Sequence, residues 1–507
     1  MKMLENFINQ IYYGDNLDVM NDKIADNSID LIYLDPPFNS NRNYNRIYST
    51  NTGMPVPEEA IAFCDAWELT EDKIEQIKLF TEELRVQDNN EIFANFWETW
   101  VKTLQFQNQK ILSYLVFMAR RLRIMKRKLK DTGSLFLHCD PTASHYVKII
   151  LDGIFGDNNF INEIIWCYNT AGRGKKRFAK KHDTIFFYSK DNKKYSFYGK
   201  SVAIPMKAGR ESFGGRLETD EKGRKYRLVY GTKNSEGKTK YYKYYLDEGK
   251  IPEDWWIDIN AIQSQDKERL GYPTQKPVAL LERIIKATTK EGDIVLDPFC
   301  GCGTTLDASQ NLKRKWIGID ICMLSTTLIE ERLKNNYKIL VKGKDYIIDG
   351  IPITMEQVKA LIEKSDKSKN EGRYQFQYWA IEKVQGFAST KKSGDGGIDG
   401  SIYFYKDENK TLGRMILSVK SNKKLQASFI RDLIGTMENN NADMAGLISY
   451  APPSQDMLNE AKKSGTFKMK DGLFANVEYP KVQILTAEEI LNGKKFNLPY
   501  SRLIKKT

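Results

Sequence analysis

The 507-residue chain is long enough for two to four domains with large buried cores. Its pI near 9.0 and formal charge of +12 favour a polyanionic partner, nucleic acid first. Six cysteines without a CxxC pair and only three histidines argue against a zinc site or a disulfide framework, and no apolar run reaches the length of a membrane span. These features predict a cytoplasmic protein that does not enter a membrane.

Strand patterns alternate with helical patterns along the first 350 residues. The stretch IDLIYLDPPFN predicts a strand that ends on Asp35 and is followed at once by two prolines. Residues 58–130 have helical periodicity, and their second half predicts one long amphipathic helix. Further strands are predicted at GSLFLHCD, INEIIW, HDTIFFYSK, DIVLD and KWIGID, and further helices at PVALLERIIKATT and LSTTLIEERLKNN. This alternation predicts an α/β fold with a doubly wound, mostly parallel sheet.

The positive charge is concentrated in residues 171–250. This segment holds 22 lysines and arginines against 9 acidic residues, together with nine tyrosines. Basic groups interleaved with aromatic rings are suited to phosphate contact and base stacking, and Lys175, Lys176 and Arg177 are the first candidates. A solvated basic insert with tyrosines in a small β core is the alternative interpretation.

A second informative stretch is VLDPFCGCGTTL at 295–306. A strand ends on Asp297, and a turn through Gly301 and Gly303 leads into a helix, so a ligand can approach the backbone closely. No lysine follows the glycines, which excludes a P-loop. The next strand ends on Asp320, where a carboxylate can hold ribose hydroxyls. The pattern favours S-adenosylmethionine as cofactor.

Together, the motifs DPPF and DPFCGCGTT resemble those of amino-group DNA methyltransferases, which modify adenine at N6 or cytosine at N4. The catalytic motif precedes the cofactor motif, and YPTQKP stands just ahead of the latter, which is the permuted order of the beta class. The resemblance implies a Rossmann-like S-adenosylmethionine-dependent methyltransferase sheet in permuted order, with the basic segment inserted as target-recognition region. It also implies adjacent active strands whose carboxyl ends meet at the switch point of the sheet.

The resemblance assigns roles residue by residue. The catalytic tetrapeptide corresponds to Asp35, Pro36, Pro37 and Phe38. The residues implied to bind the cofactor are Asp15, Thr274, Lys276, Asp297, Phe299, Gly301, Gly303 and Asp320.

The tetrapeptide explains why a strand ends on a carboxylate and two prolines. An exocyclic amino group is a poor nucleophile because its lone pair is delocalised into the base. The Asp35 side chain and the Pro36 carbonyl can each accept one amino hydrogen, and proline holds this array rigid. Phe38 can stack on a base flipped out of the duplex. In the resemblance Asp at the first position accompanies adenine more often than cytosine, and cytosine N4 remains the alternative.

The last 140 or so residues resemble an Mrr-type restriction-endonuclease domain over about residues 372–492. Its signature is Asp, then Glu or Gln, any residue, and Lys. Here Asp399 supplies the first element, as the single predicted ligand of a Mg²⁺ ion, and Lys420 the last, whereas Ser418 replaces the acid or amide. Gln377 stands where active relatives carry a glutamate. The sequence leaves cleavage and a non-cleaving, DNA-binding role open.

The predicted organisation has three parts. Residues 1–350 form the methyltransferase domain, with a helical insertion at about 50–130 and the basic target-recognition insertion at about 170–265. Residues 351–371 form a linker, and 372–507 a C-terminal α/β restriction-endonuclease-like domain. The expected partner is double-stranded DNA in a prokaryotic or phage setting, while a homodimer and a separate restriction subunit remain open. A DNA-binding or assembly component without catalysis is the competing function.

Overall fold

A computed structural model describes most of the chain. The described residues are 7–37, 67, 69–169, 176, 178–204, 216–233, 237–270, 272, 274–338, 340–363, 371–389, 397–407, 411–469, 471 and 475–499. The predicted residues Phe38, Lys175 and Arg177 lie outside them.

Nineteen strands are formed by the described residues. In chain order they are β1 (Asn9–Tyr13), β2 (Ile29–Leu34), β3 (Leu129–Cys139), β4 (Phe160–Cys167), β5 (His182–Ser189), β6 (Arg216–Thr219), β7 (Lys225–Lys233), β8 (Thr239–Tyr245), β9 (Trp255–Trp256), β10 (Ile294–Asp297), β11 (Lys315–Asp320), β12 (Tyr346–Asp349), β13 (Phe387–Ala388), β14 (Gly400–Tyr405), β15 (Leu412–Lys420), β16 (Met444–Ser449), β17 (Thr466–Phe467), β18 (Tyr479–Pro480) and β19 (Val482–Thr486).

Thirteen α-helices accompany these strands within the same ranges. They are α1 (Asn16–Lys23), α2 (Glu71–Glu82), α3 (Glu91–Gln107), α4 (Gln109–Lys128), α5 (Ser144–Phe155), α6 (Val278–Thr288), α7 (Thr304–Asn311), α8 (Met323–Asn336), α9 (Met355–Glu363), α10 (Glu371–Lys383), α11 (Ser428–Asn439), α12 (Gln455–Lys463) and α13 (Ala487–Leu491). None of the described helices combines the length and apolarity that crossing a membrane requires.

The first part of the chain is built on a nine-stranded sheet of order β12-β1-β11-β10-β2-β3-β5-β4-β9. Strands β12 through β3 in this order pair in parallel, and β5 runs antiparallel to both of its neighbours. The strands that end on the two predicted motifs, β2 and β10, are direct neighbours, with Val295 opposite Leu31. The α/β fold class with a mostly parallel sheet is therefore confirmed, and the carboxyl ends of β1, β11, β10 and β2 share one edge.

Alternate residues of the central strands bury their side chains on opposite faces of this sheet, as strand geometry requires. On β2, Ile32 and Leu34 pack in the core that contains helices α1 to α5. Leu31 and Tyr33 pack on the other face, in the core that contains α6. Both faces are thus covered, which leaves the strand ends as the accessible edge of the sheet.

The long helix predicted up to Lys130 is wrong in one respect, because it is divided at Asn108. This residue has extended φ of −158°, and its side chain accepts a hydrogen bond from the Ile111 amide at 3.1 Å. It therefore ends α3 and caps α4, since a short polar side chain satisfies an orphan amide of the next helix. Helical periodicity continues across the break, which is why the pattern predicted a single helix.

The last part of the chain has its own sheet, of order β13-β14-β15-β16-β19, and its own buried core. Helix α9 lies within residues 351–371, the predicted linker, yet Val358 is fully buried in that core. This part of the linker prediction is wrong, because α9 packs against α10 and α13. The two parts meet where α10 approaches α8, and Cys322 Sγ donates to Glu382 Oε1 at 3.4 Å.

Candidate functional site

A pocket opens at the shared carboxyl edge of β1, β2, β10 and β11. The residues predicted from the sequence that line it are Asp15, Asp35, Pro36, Pro37, Thr274, Lys276, Asp297, Phe299, Gly301 and Asp320. Segments far apart in the chain thus meet in one cavity, because parallel strands bring their carboxyl ends to the same edge.

Asp35 follows β2 directly and is held by one ion pair. Lys276 Nζ lies 2.5 Å from Asp35 Oδ2, and both side chains are largely buried. The other carboxylate oxygen, Oδ1, is buried and has no hydrogen-bond partner among the described residues. A buried acceptor without a partner is costly unless a ligand satisfies it. The geometry therefore offers Oδ1 to a hydrogen-bond donor that enters the pocket.

Lys276 forms an ion pair with the Asp35 carboxylate, whereas the resemblance implies that Lys276 binds the cofactor. Its Nζ also lies 3.4 Å from the carbonyl of Thr274, which is exposed and adopts a left-handed φ of 63°. Lys276 is therefore placed to fix Asp35, and contact with a cofactor remains a prediction.

The glycine-rich turn after β10 surrounds a second carboxylate, Asp320. Asp320 Oδ2 accepts from the Gly301 amide and Oδ1 from the Cys322 amide, both at 2.8 Å. Gly303 lies behind the pocket lining with φ of 76°, and a Cβ there would meet Ile329 at 2.6 Å. The turn requires glycine at 303 for conformation and for space.

Asp297, at the end of β10, is buried and accepts hydrogen bonds from both sides of the glycine-rich turn. Its Oδ2 accepts from Thr305 Oγ1 at 2.5 Å and its Oδ1 from the Phe299 amide at 3.0 Å. Burial raises the pKa of Asp297 to about 7, although both hydrogen bonds act in the opposite direction. Asp297 therefore fastens both ends of the turn.

Sequence reasoning missed Arg121, which lies on α4 and reaches the same pocket. Its guanidinium pairs with the Asp15 carboxylate at 2.6 Å, and the Arg121 side chain is only 6% exposed. Arg121 also donates to Asn16 Oδ1 at 2.6 Å and stacks over the Phe117 ring at 3.6 Å from its centroid. Nothing in the local pattern of an amphipathic helix marks one arginine as a pocket residue.

The pocket residues fit S-adenosylmethionine on the chemistry of their side chains. Asp320 offers a carboxylate held by two backbone amides, which suits ribose hydroxyls. Phe117 and Phe299 place two rings 6.1 Å apart along the wall, and Asp15 lies beside them. Aromatic rings next to a fixed acceptor suit an adenine base.

The predicted DNA-contacting region is described in part. Lys176 is exposed, and Phe178 two residues later is 99% exposed. Strands β6, β7 and β8 form a three-stranded antiparallel sheet, on which Tyr230 and Tyr241 stand opposite each other with ring centroids 5.1 Å apart. Both of these rings are more than half exposed. Exposed rings among lysines match the predicted basic and aromatic surface.

The candidate nuclease residues come together at one end of β15. Asp399 Oδ2 accepts from the Val419 amide at 2.6 Å and from Ser418 Oγ at 3.3 Å, and Gln377 Nε2 reaches the Asp399 carbonyl at 3.4 Å. Lys420 Nζ lies 5.3 Å from the centre of the Phe429 ring. In the described part of the chain no group of three or more His, Cys, Asp or Glu side chains could hold a metal. Among the described residues, Asp399 supplies a carboxylate beside the Ser418 hydroxyl and the Gln377 amide, and a Mg²⁺ ion at this place remains a prediction.

Two family models match the chain. Residues 29–331 match a family described as DNA methylase, and residues 374–473 match a family described as restriction endonuclease. The first match ends in α8 and the second begins in α10, so the two families meet along the chain as the sequence predicted.

Several curated proteins are similar to the first part of the chain. The type II methyltransferase M.EcaI of Enterobacter cloacae is 30% identical over 261 residues, which cover 43% of this chain and 57% of that protein. The type II methyltransferase M.HpaI of Haemophilus parainfluenzae is 31% identical over 231 residues, covering 45% and 62%. The chain thus spans less than two thirds of the length of these relatives.

Among solved structures, the chain is similar to the PvuII DNA methyltransferase, which is named as cytosine-N4-specific. It is 15% identical, has a TM-score of 0.36, and covers 65% of this chain and 92% of its own. The first family model alone spans more than half of the 507 residues. The chain therefore belongs to the DNA methylase family, with a restriction-endonuclease-like domain fused behind it.

Proposed function

We propose that the protein transfers a methyl group from S-adenosylmethionine to the exocyclic amino group of adenine in DNA. The observation that carries this proposal is the Asp35 carboxylate, whose buried and unpartnered Oδ1 lines the same pocket as the glycine-rich turn. Membership in the DNA methylase family supports the reaction class. The bound cofactor supplies an electrophilic methyl group on a sulfonium.

The side chains act by orientation and electrostatics. Asp35 Oδ1 accepts one amino hydrogen of the target base, and the Pro36 carbonyl accepts the other. Lys276 keeps Asp35 in place because protonation or rotation of the carboxylate would break their ion pair. Both acceptors turn the nitrogen lone pair towards the incoming methyl group, and they need no reorganisation during the reaction.

Adenine is preferred over cytosine on two grounds. Asp35 occupies the position at which the resemblance associates aspartate with adenine. In addition, the DNA adenine methyltransferase YhdJ of Escherichia coli K12 is 30% identical over 196 residues, which cover 38% of this chain and 58% of that protein. A role within a restriction-modification system accords with the fused C-terminal domain and with the type II names of the other relatives.

The test is nucleoside mass spectrometry of unmethylated DNA after incubation with the protein and isotopically labelled S-adenosylmethionine. We expect label in N6-methyladenine, and none with Asp35→Ala, while that variant keeps its cofactor affinity in calorimetry. Label in N4-methylcytosine would retain the mechanism and overturn the choice of base. Absence of label on every DNA would overturn the proposed function.

A further inference from the structure

A row of polar side chains crosses the sheet beneath the pocket. Tyr33 on β2 lines the pocket, and its hydroxyl lies 3.0 Å from His138 Nδ1 on β3. His138 Nε2 lies 3.0 Å from Asp183 Oδ2 on β5. Asp183 Oδ1 accepts from the hydroxyl of Tyr168, just after β4, at 3.1 Å. The adjacent strands β2, β3 and β5 and the residue that follows β4 thus each contribute one member of a continuous hydrogen-bonded row.

The row connects the pocket, at Tyr33, with the start of the basic segment, at Tyr168. Tyr33 stands two residues before Asp35, which directly follows β2, and both residues line the pocket. Tyr168 lies just before the basic segment, residues 171–250, and Asp183 lies within it, as does Lys176. His138 itself is fully buried, which makes a polar row here costly unless its members satisfy one another.

The chemistry of the partners fixes where the protons lie. Hydrogen bonds from His138 and Tyr168 lower the pKa of Asp183 although burial opposes them, so Asp183 is a carboxylate and can only accept. His138 Nε2 therefore carries a proton. Burial and the charges of Asp35, Asp297 and Asp183 raise the pKa of Tyr33 well above its ordinary value, so Tyr33 keeps its hydroxyl proton. In the neutral imidazole, Nδ1 accepts a hydrogen bond from the Tyr33 hydroxyl. One lone pair of the Tyr33 oxygen then remains available to accept a second proton.

We propose that Tyr33 and His138 take up the proton that methyl transfer releases, with Asp183 holding the imidazole. This inference rests on the proposed function. As the nitrogen–carbon bond forms and the carbon–sulfur bond of the donor breaks, the amino nitrogen must lose one proton. That proton joins the Tyr33 oxygen while the original Tyr33 hydroxyl proton moves to His138 Nδ1. The phenol stays neutral, and an imidazolium forms beside the Asp183 carboxylate.

Asp35 is less suited to keep this proton because protonation would break its ion pair with Lys276. The imidazolium instead gains a carboxylate that already faces it, and Lys276 also acts electrostatically on that carboxylate. Trp166 of β4 packs edge-on against the His138 ring at 5.6 Å and adds no charge. After the methylated base leaves, the imidazolium returns the proton along the same path to water in the open pocket.

The test compares single-turnover methyl transfer by the full-length protein and its Tyr33→Phe, His138→Gln and doubly substituted variants. Tyr33→Phe removes one hydroxyl and keeps the buried ring. General acid–base catalysis contributes typically 10² to 10⁴-fold, so we expect Tyr33→Phe to lower the rate by about 10²-fold or more. The double variant should be no slower than the slower single variant, because the two groups act as one unit.

A solvent isotope effect separates proton transfer from a structural role. The protons that move along the relay are exchangeable, so the wild-type single-turnover rate should be lower in D₂O than in H₂O. That isotope effect should disappear in Tyr33→Phe, whereas cofactor affinity in calorimetry stays unchanged. Tyr168→Phe, at the far end of the row, should keep the isotope effect.

Two results would overturn the relay and leave the proposed function standing. One is a Tyr33→Phe rate equal to that of the wild type; the other is a double variant whose loss is the product of the two single losses. If the wild type labels no DNA at all, the proposed function and the relay fall together. Tyr33→Phe alone decides the matter if His138→Gln does not fold.

Discussion

Asp35 and Lys276 lie 241 positions apart in the chain, yet their side chains form one unit. The resemblance implies a cofactor contact for Lys276, whereas the structure pairs it with the Asp35 carboxylate. The distinction matters chemically, because a cofactor contact lowers the dissociation constant of the cofactor, whereas a carboxylate contact acts on the rate.

Replacement of Lys276 by Met distinguishes these partners. Removing one member of a buried ion pair leaves Asp35 without its countercharge, and loss of one preorganised electrostatic group typically lowers kcat by about 10² to 10³-fold. We expect such a loss in single-turnover rate with an unchanged cofactor dissociation constant in calorimetry. Lys290→Gln, in the turn at the opposite edge of the sheet, is the matched control. A large rise in the dissociation constant with a normal rate would restore the cofactor role.

Asp297 should make stability depend on pH. Its pKa is raised by burial to about 7 in the folded protein, so the folded state binds the proton more tightly than the unfolded state does. Its contribution is therefore most favourable in acid and is lost as the pH rises from about 4 to about 7, by on the order of 4 kcal/mol at 1.36 kcal/mol per pKa unit.

The measurement is urea unfolding of the cofactor-free protein and of Asp297→Asn between pH 4 and 8. The difference between the two proteins isolates this carboxyl from the other titrating groups. We expect wild-type stability to decline relative to the variant across that interval. Parallel curves would show that Asp297 does not carry the proton.

At the scale of elements, the three-stranded sheet β6–β8 and the described residues before it in the basic segment present exposed charge and exposed rings. Lys240 on β8 is exposed and neighbours Tyr241, and Lys176 is exposed next to the described Phe178. Lysines that contact phosphates release counterions, so each contact contributes about one unit to the slope of log affinity against log salt.

We expect Lys240→Gln and Lys176→Gln each to weaken duplex binding and to flatten that slope by about one unit. Fluorescence anisotropy over a salt series measures both quantities. Lys290→Gln removes the same charge at the far edge of the sheet and should change neither. A slope that stays at the wild-type value in both variants would place the DNA elsewhere.

The sequence predicted elements better than it predicted contacts. Strands β2, β3, β4, β5, β10 and β11 and helices α6 and α8 lie where apolar periodicity indicated, because burial on a sheet face imposes that period. The neighbouring motif strands also followed from the resemblance. The pairing of Arg121 with Asp15 did not, because it joins residues 106 positions apart through a helix whose local pattern only requires an apolar face.

Two further features could not be predicted from the sequence, and each has a physical reason. The break at Asn108 depends on one side chain competing for a backbone amide, which leaves hydrophobic periodicity intact. The row from Tyr33 to Tyr168 takes one residue from each of three strands and one from the end of a fourth, so it can be recognised only once strand order and register are known.

At the scale of the whole molecule, the C-terminal domain determines whether the protein can cut DNA. One carboxylate oxygen of Asp399 accepts a hydrogen bond from the Val419 amide, and Lys420 lies over the Phe429 ring. Ser418 stands at the position where an acid or an amide would help to bind a metal ion. Hydrolysis of a phosphodiester at such a site needs a bound metal ion and an oriented water. We expect the full-length protein not to nick supercoiled plasmid in Mg²⁺.

Agarose electrophoresis of plasmid incubated with wild-type protein and with Lys420→Ala checks this expectation. Equal and negligible nicking by both proteins is the predicted result. Magnesium-dependent nicking that Lys420→Ala abolishes would instead make this domain a working nuclease. Nicking that both proteins share would point to a site away from Lys420.

Helix α10 belongs to the architecture of both parts. Gln377 on this helix reaches Asp399, and one turn further on Glu382 receives a hydrogen bond from Cys322, whose amide in turn holds Asp320 in the pocket. A recombination event that exchanged the C-terminal domain for a relative's would therefore also replace a side chain against the pocket wall. Domain shuffling in this lineage should succeed only when the junction lies after α10 or when positions 322 and 382 are inherited together.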